Sequence, residues 1–235
     1  MTMRIAASPT EAVAGVGDGA TVLLGGFGNA GQAHELIDAL LDSGAEELTV
    51  VSNNAGQGDA GLALLIKESR VGKIICSFPR QSDSWHFDEA YRAGRIELEL
   101  VPQGNLAERL RAAGAGIGAF FTPSGYGTTL AQGKETRRID GVNYVLEHPL
   151  RGDLALIKAF AADERGNLTY RKTARNFGPV MAAAAEHTVV QVEKVLPAGS
   201  LNPENVITPG IYVDTVVEVP TASGEAASKE GRLQG

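Results

Sequence analysis

Four short apolar runs rich in β-branched residues, Ala20–Leu24, Leu48–Ser52, Lys73–Ser77 and Ile96–Val101, are each followed by a segment with helical spacing. After Gly31, the residues Ala33, Leu36, Ile37, Leu40 and Leu41 fall at i, i+3, i+4, i+7 and i+8, and Gly44 stands where a left-handed residue would end that helix. Gly61–Ser69 and Ser84–Ala93 read as two further helices. A fourth opens at Asn105, with Glu108 three residues on as in a capping box, and stops at Gly114. Parallel strands cannot be joined by a tight turn, so each strand-helix-strand passage must cross over a sheet face. The alternation predicts an α/β fold: an open, mainly parallel sheet flanked by helices.

The second half of the chain has a different rhythm. Gly114–Gly133 is glycine-rich and loop-like, followed by strand candidates at Asn143–Glu147, Asp153–Ala159 and Asn167–Arg171. An alanine-rich helix is expected at Pro179–His187, then strands at Thr188–Val195 and Ile211–Val219. Asp140-Gly141 and Arg165-Gly166-Asn167 are turn signals between close strands, so this half is expected to add an antiparallel portion. The tail from Pro220 has almost no bulky apolar residue and should be disordered, leaving residues 1–219 as a single domain. Composition sets outer limits. A net charge of −7 without a basic stripe argues against nucleic-acid and anionic-membrane partners. Cys76 is the only cysteine, so neither a disulfide framework nor a multi-cysteine zinc site is possible. The four histidines show no metal-ligand spacing, and no metal is expected. No long apolar stretch suits a membrane span, and Met1–Gly19 carries Arg4, Glu11 and Asp18 in place of a signal-peptide core. A cytoplasmic location is the expectation.

The residues Asp18 to Gly31 carry the most chemical information. A strand runs into Gly25, Gly26, Phe27, Gly28, Asn29, Ala30 and Gly31, and a helix follows. Bare backbone N–H groups beside a helix start suit an anionic group. Gly26, Gly28 and Gly31 match the G-x-G-x-x-G spacing of nicotinamide-binding folds, but that reading needs an acid at the end of the next strand. Here that strand ends on Ser52-Asn53-Asn54, and amides stand in place of the carboxylate. A phosphate-bearing or thioester ligand fits these residues better, although a tight turn with no ligand is also compatible with them. Cys76 closes an apolar strand and reads as a buried structural thiol.

The run Asp18–Gly31 resembles the first signature of the class I coenzyme A-transferases, in their A (alpha) subunit. Further stretches agree in the same order: Ser52–Gly56, Pro102–Arg109, Thr122–Gly127, Gly166–Arg171 and Ala174–Phe177. The resemblance extends from Thr10 to about Val219, with one departure: the family usually has proline where Ala33 stands, which would pre-set a first helical turn. It implies an open α/β fold and ping-pong transfer of coenzyme A between carboxylic acids. A glutamate attacks the donor thioester, giving an acyl-glutamyl anhydride and then a glutamyl thioester. In two-subunit members that glutamate lies on the B (beta) subunit, in a Ser-Glu-Asn-Gly type motif. No such motif occurs here, and Glu147 and Glu164 have the wrong neighbours.

The resemblance therefore implies a B-subunit partner, inactivity of this chain alone, and no permanently bound cofactor, with coenzyme A entering as substrate thioester. It places Gly25–Gly31 against coenzyme A, gives Asn53 the role of amide donor to the oxyanion, and sets Gln103 near the reacting carboxylate. Cys76–Ser84 resembles the 3-oxoadipate branch of the family, with succinyl-CoA as donor. A second carboxylate on the acceptor would suit an arginine fork, so Arg80, helped by Ser82, is the candidate selector; a solvated loop arginine or an interface role are the alternatives. Arg171, Lys172 and Arg175 form a small basic cluster that could steer coenzyme A phosphates, meet a partner, or simply be solvated. Acetoacetate transfer on the same architecture is the close alternative. A nicotinamide-dependent oxidoreductase or a non-catalytic coenzyme A-binding module stands further off.

Overall fold

The computed structural model describes residues 3–220. The tail expected to be disordered lies, beyond Pro220, outside the described residues. Along the chain come β1 (Arg4–Ala6), α1 (Pro9–Ala12), β2 (Thr21–Leu24), α2 (His34–Ser43), β3 (Leu48–Val51), α3 (Leu62–Lys67), β4 (Val71–Cys76), α4 (Trp85–Arg92), β5 (Glu97–Leu100) and α5 (Gln103–Gly114). The second half contributes β6 (Phe120–Thr122), β7 (Thr136–Ile139), β8 (Val142–Glu147), β9 (Gly152–Lys158), β10 (Ala161–Asp163) and β11 (Leu168–Thr169). It closes with α6 (Gly178–Ala184), β12 (Ala185–Val192), β13 (Lys194–Leu196) and β14 (Thr215–Glu218).

One eight-stranded sheet has the order β1-β14-β12-β9-β2-β3-β4-β5, and every neighbouring pair is parallel. The expected antiparallel portion is thus confined to small separate sheets. The sheet β6-β8-β7 is antiparallel throughout, whereas in β11-β10-β13 the second pair is parallel. The strands β9, β12 and β14 are legible as strands, but they extend the main sheet because long crossovers, not turns, connect them.

The inner strands are buried on both faces, which is why β2 and β3 read as nearly unbroken apolar runs, whereas the edge strands β1 and β5 are half exposed. Side chains alternate sides: Val22, Leu24, Val50 and Ile74 pack with Leu36, Leu40, Leu65 and Phe87 of α2, α3 and α4. Leu23, Val51 and Ile75 point the other way, onto Leu106 and Leu110 of α5 and Met181 of α6. The predicted end of α2 is realised, with Gly44 at φ 80 in the left-handed region and its N–H donating to Leu41 O. Its start differs: Ala33 is the N-cap residue, buried, so the missing proline affects the approach to the helix and not its first turn.

The helix α5 begins two residues before the expected capping box, after Pro102, and carries no side-chain cap. The Asn105 amide is instead drawn to Ser124 O and Glu147 Oε1, both at 3.3 Å. The helix expected to reach His187 stops at Ala184, and β12 starts at the next residue. No helix among the described residues is long and apolar enough to cross a membrane.

The strand order has one topological switch. From β2 the chain builds outward through β3, β4 and β5, while β9, β12 and β14 build in the opposite direction from the other side of β2. Ligands of open α/β sheets bind in the crevice outside the carboxyl ends of strands at such a point. Here it lies between β2 and β9, where the glycine loop leaves the sheet.

Candidate active site

The loop Gly25–Gly31 is a tight reversal in which Phe27 N–H donates to Ala30 O (3.0 Å) and Ala30 N–H to Phe27 O (3.2 Å). Gly25 N–H donates to Leu156 O on β9 at 3.1 Å, and Gly26 N–H to Asn176 Oδ1 at 3.0 Å. Four of the seven loop N–H groups are therefore used internally, which narrows the anion-binding expectation. Among the described residues Gly28, Asn29 and Gly31 keep theirs unengaged. Asn176 acts as a clamp, since its Nδ2 also donates to Ala30 O at 2.9 Å. Only glycine fits at position 31: φ is +78, and a Cβ would overlap the Ala174 carbonyl oxygen.

The strand β3 ends beside this loop and delivers Asn53, which is 2% exposed. Asn53 Oδ1 accepts two hydrogen bonds, from Gln103 Nε2 at 2.7 Å and from Ser77 Oγ at 2.9 Å. Its backbone carbonyl accepts from Ser77 N (3.2 Å) and Phe78 N (3.0 Å). Ser77 Oγ also lies 3.0 Å from the Asn53 carbonyl oxygen, so its one proton is shared between the two acceptors, and Gln103 Nε2 is the donor that holds Asn53 Oδ1 inward. Asn53 Nδ2 has no hydrogen-bond partner among the described residues and is the end left to donate. Gln103, 50 residues away in sequence, is brought here because α5 starts at the carboxyl end of β5.

No carboxylate hydrogen-bonds to Asn53, Ser77 or Gln103 among the described residues. Glu147 is 4% exposed and tied to Lys134 Nζ at 2.7 Å. Glu164 Oε2 accepts from Ala198 N at 3.1 Å. Burial pushes the Cys76 thiol up to about 12, consistent with a structural residue.

The loops after β3 and β4 are tied together. Ser84 Oγ donates to Gly56 O at 2.8 Å, Gly58 N to Asp83 O at 3.0 Å and Gln57 Nε2 to Asp83 Oδ1 at 3.3 Å. Arg80 stands on the second of these loops. Its Nε donates to Asp88 Oδ1 at 2.9 Å and its guanidinium carbon lies 5.9 Å from the Tyr91 ring centroid, so the side chain lies along α4. Ser82 is exposed. The geometry brings Asn53, Gln103 and the glycine loop together. Arg80 and Ser82 stand on an adjoining rim, with the Arg80 Nη groups uncommitted among the described residues.

The sequence model for coenzyme A transferase matches residues 6–219. The chain belongs to the coenzyme A transferase family. The A subunit of a 3-oxoadipate CoA-transferase from Pseudomonas putida is 61% identical over 222 residues, covering 94% of this chain and 96% of that one. The A subunit of a succinyl-CoA:3-ketoacid coenzyme A transferase from Xanthomonas campestris pv. campestris is 50% identical over 212 residues, covering 90% and 87%. The crystal structure of an acyl-CoA transferase from E. coli O157:H7, in a thioester complex with CoA, superposes with a TM-score of 0.81 at 25% identity. That alignment covers 93% of this chain and 47% of the other, so the chain spans about half the length of that protein.

Family membership displaces the nicotinamide reading, in keeping with the amides at the end of β3. Sequence reasoning on this coenzyme A transferase misses two residues, Ser77 and Asn176. Ser77 is legible only as a strand end, because its contact depends on the pairing of β3 with β4. Asn176 lies within one of the family-like stretches, but nothing local to it indicates a loop 146 residues upstream.

Proposed function

We propose that this chain is the A subunit of a 3-oxoadipate:succinyl-CoA transferase, serving the breakdown of aromatic acids in the cytoplasm with a separate B subunit. The observation that carries the transfer chemistry is the Asn53 amide, whose oxygen is held by Gln103 and Ser77 and whose N–H₂ has no partner among the described residues. In this reading a partner glutamate attacks the succinyl-CoA carbonyl, the C–S bond breaks, and coenzyme A leaves as thiolate, forming a succinyl-glutamyl anhydride. The thiolate then attacks the glutamyl carbonyl, releasing succinate and leaving a glutamyl thioester. The acceptor carboxylate attacks that thioester in turn, expelling coenzyme A as thiolate and forming a second anhydride; the thiolate then attacks the acceptor's carbonyl, and the glutamate leaves as carboxylate. Each attack puts negative charge on a carbonyl oxygen, and Asn53 Nδ2 is the donor for it. Gln103 holds the Asn53 oxygen through its Nε2, and in this reading it also stands near the reacting carboxylate. The absence of any carboxylate bonded to this trio among the described residues supports a nucleophile from another chain.

The choice of acid rests on the 61% full-length identity to a protein named for 3-oxoadipate, against 50% to one named for a 3-ketoacid. Arg80 is the residue we assign to the distal carboxylate of 3-oxoadipate. Asp88 engages only its Nε, which leaves the Nη edge for a bidentate contact. Arg80→Ala in the assembled enzyme is expected to raise KM for 3-oxoadipate about tenfold or more, with little change for acetoacetate, which has no second carboxylate. Equal effects on both acids in steady-state assays would remove Arg80 from the specificity argument. No nucleic-acid or membrane partner belongs to this reading, and residues 1–219 are taken as one domain.

A further inference from the structure

Glu147 and Asp163 are the two carboxylates buried among the described residues. Asp163 is engaged within its own turn, where it accepts from the N–H groups of Arg165 and Asn167 and from Asn167 Nδ2. Glu147, the last residue of β8, reaches across the fold instead. Its Oε1 accepts from Lys134 Nζ at 2.7 Å and from Asn105 Nδ2 at 3.3 Å, and its Oε2 lies 4.0 Å from Arg109 Nε. Arg109 carries the contact further. Its Nε donates to His148 O at 2.9 Å and its Nη1 to Glu99 Oε1 at 2.8 Å, and Glu99 is paired with Lys73 of β4 at 3.2 Å. One polar network thus joins the small sheet β6-β8-β7 to α5 and to the β5 edge of the main sheet.

An ion pair on a buried carboxylate adds little net stability over apolar packing, because desolvation offsets much of the attraction. What it does fix is geometry, since any shift of Glu147 strands buried polar partners. That geometry bears on the start of α5. The helix has no side-chain cap, so no local side chain pins its first turn. Asn105, in that turn, is held from outside by Glu147 and by Ser124 O. Gln103 opens the same turn and donates to Asn53 Oδ1 at 2.7 Å. The loop after Ser124 also rests on this start: a Cβ on Gly125 would lie 4.0 Å from Pro102 Cγ.

We infer that Glu147 is a positioning residue for the transfer reaction. Through Asn105 it sets the first turn of α5, so that Gln103 Nε2 meets Asn53 Oδ1 and the Asn53 N–H₂ stays aimed at the reacting carbonyl. The inference rests on the transferase reading of the site and adds what holds its amide in place. Glu147 acts through α5 and touches no substrate.

The test is a double-mutant cycle of Glu147→Gln with Gln103→Ala, assayed in the complex with the B subunit. Glu147→Gln keeps the shape of the side chain and removes the charge that holds Lys134 and Arg109. With Gln103 intact, kcat is expected to fall about tenfold or more, while KM for succinyl-CoA stays within about twofold. In the Gln103→Ala background the same change should lower kcat by less than about twofold, because the link is already cut. Equal falls in both backgrounds, or a lower Tm with kcat unchanged, would make Glu147 a structural residue only. Asn105→Ala leaves the Lys134–Glu147 ion pair in place and should show the same dependence on Gln103, even if Glu147→Gln fails to assemble. Hydrogen exchange reads the same link without turnover. The Leu106 N–H donates to Pro102 O at 2.9 Å in the first turn of α5. Its exchange should quicken about tenfold or more in Glu147→Gln, with that of Leu110 unchanged; uniform acceleration along α5, or none, overturns the inference. A wild-type complex that transfers no coenzyme A would sink the transferase reading itself, and the exchange result would still decide whether Glu147 places α5.

Discussion

Replacing Asn53 by alanine is expected to lower kcat of the assembled transferase by roughly 10²–10³-fold, with a much smaller change in KM for succinyl-CoA. The asymmetry follows from when the bond forms. In its proposed role the Asn53 N–H₂ group would meet little charge on a ground-state carbonyl and full charge on the oxyanion, so its removal is expected to raise the barrier more than it weakens binding. Alanine also strips Gln103 Nε2 and Ser77 Oγ of a shared acceptor at a buried position, which costs about 1–3 kcal/mol of stability. Asn53→Asp separates the two effects. The carboxylate still accepts from Gln103 and Ser77, so neither donor is orphaned, and any stability loss comes from placing a charge at a 2% exposed position. The donor is gone, however, and a negative charge faces the developing oxyanion, so activity should be no better than in the alanine variant. An Asn53→Asp enzyme with near-normal kcat would show that the amide does not face the reacting carbonyl.

The second large effect is expected at Gly31. A methyl group there is strained by the backbone at φ +78, and it also overlaps the Ala174 carbonyl oxygen and lies 2.8 Å from Asn176 Nδ2. Backbone is a poor absorber of such overlap, so the segment around Asn176 must retreat and release Gly26 and Ala30 from their clamp. Gly31→Ala should cost at least about 2 kcal/mol, or a Tm fall of roughly 4–8 °C for a chain of this size. Binding of the coenzyme A thioester should weaken with it. Gly44→Ala is the control: φ is +80, but nothing lies within 4 Å of the added carbon. It should cost only the backbone contribution, about 1–2 kcal/mol, and leave KM alone. Equal KM changes in the two variants would mean that the loop and the Asn176 segment do not act as one piece.

The sequence discloses some parts of this molecule and withholds others for physical reasons. The helix α2 is readable because its apolar stripe has the helical period and a glycine occupies the one left-handed position. The start of α5 is not, because the amide of Asn105, which looks like a cap, is satisfied by Ser124 and by the buried Glu147 from β8, partners far along the chain. The strands β9 and β12 are recognisable, but nothing local indicates that they lie parallel and adjacent, since that pairing joins segments separated by a whole helix. The very short β1, β10 and β13 carry too few residues for any period to show. At the site, Asn53 and Gln103 are identified through family resemblance, and their junction at 2.7 Å is a tertiary fact. Ser77 completes that junction, and locally it is legible only as the end of a strand.

The central claim is that this chain holds an oxyanion donor and lacks a nucleophile. It is tested most directly by following coenzyme A transfer from succinyl-CoA to 3-oxoadipate with the purified chain alone and after addition of the B subunit. Turnover is expected only in the mixture, with kcat/KM for 3-oxoadipate well above that for acetoacetate. Transfer by the chain alone would contradict the claim and require a nucleophile within these 235 residues.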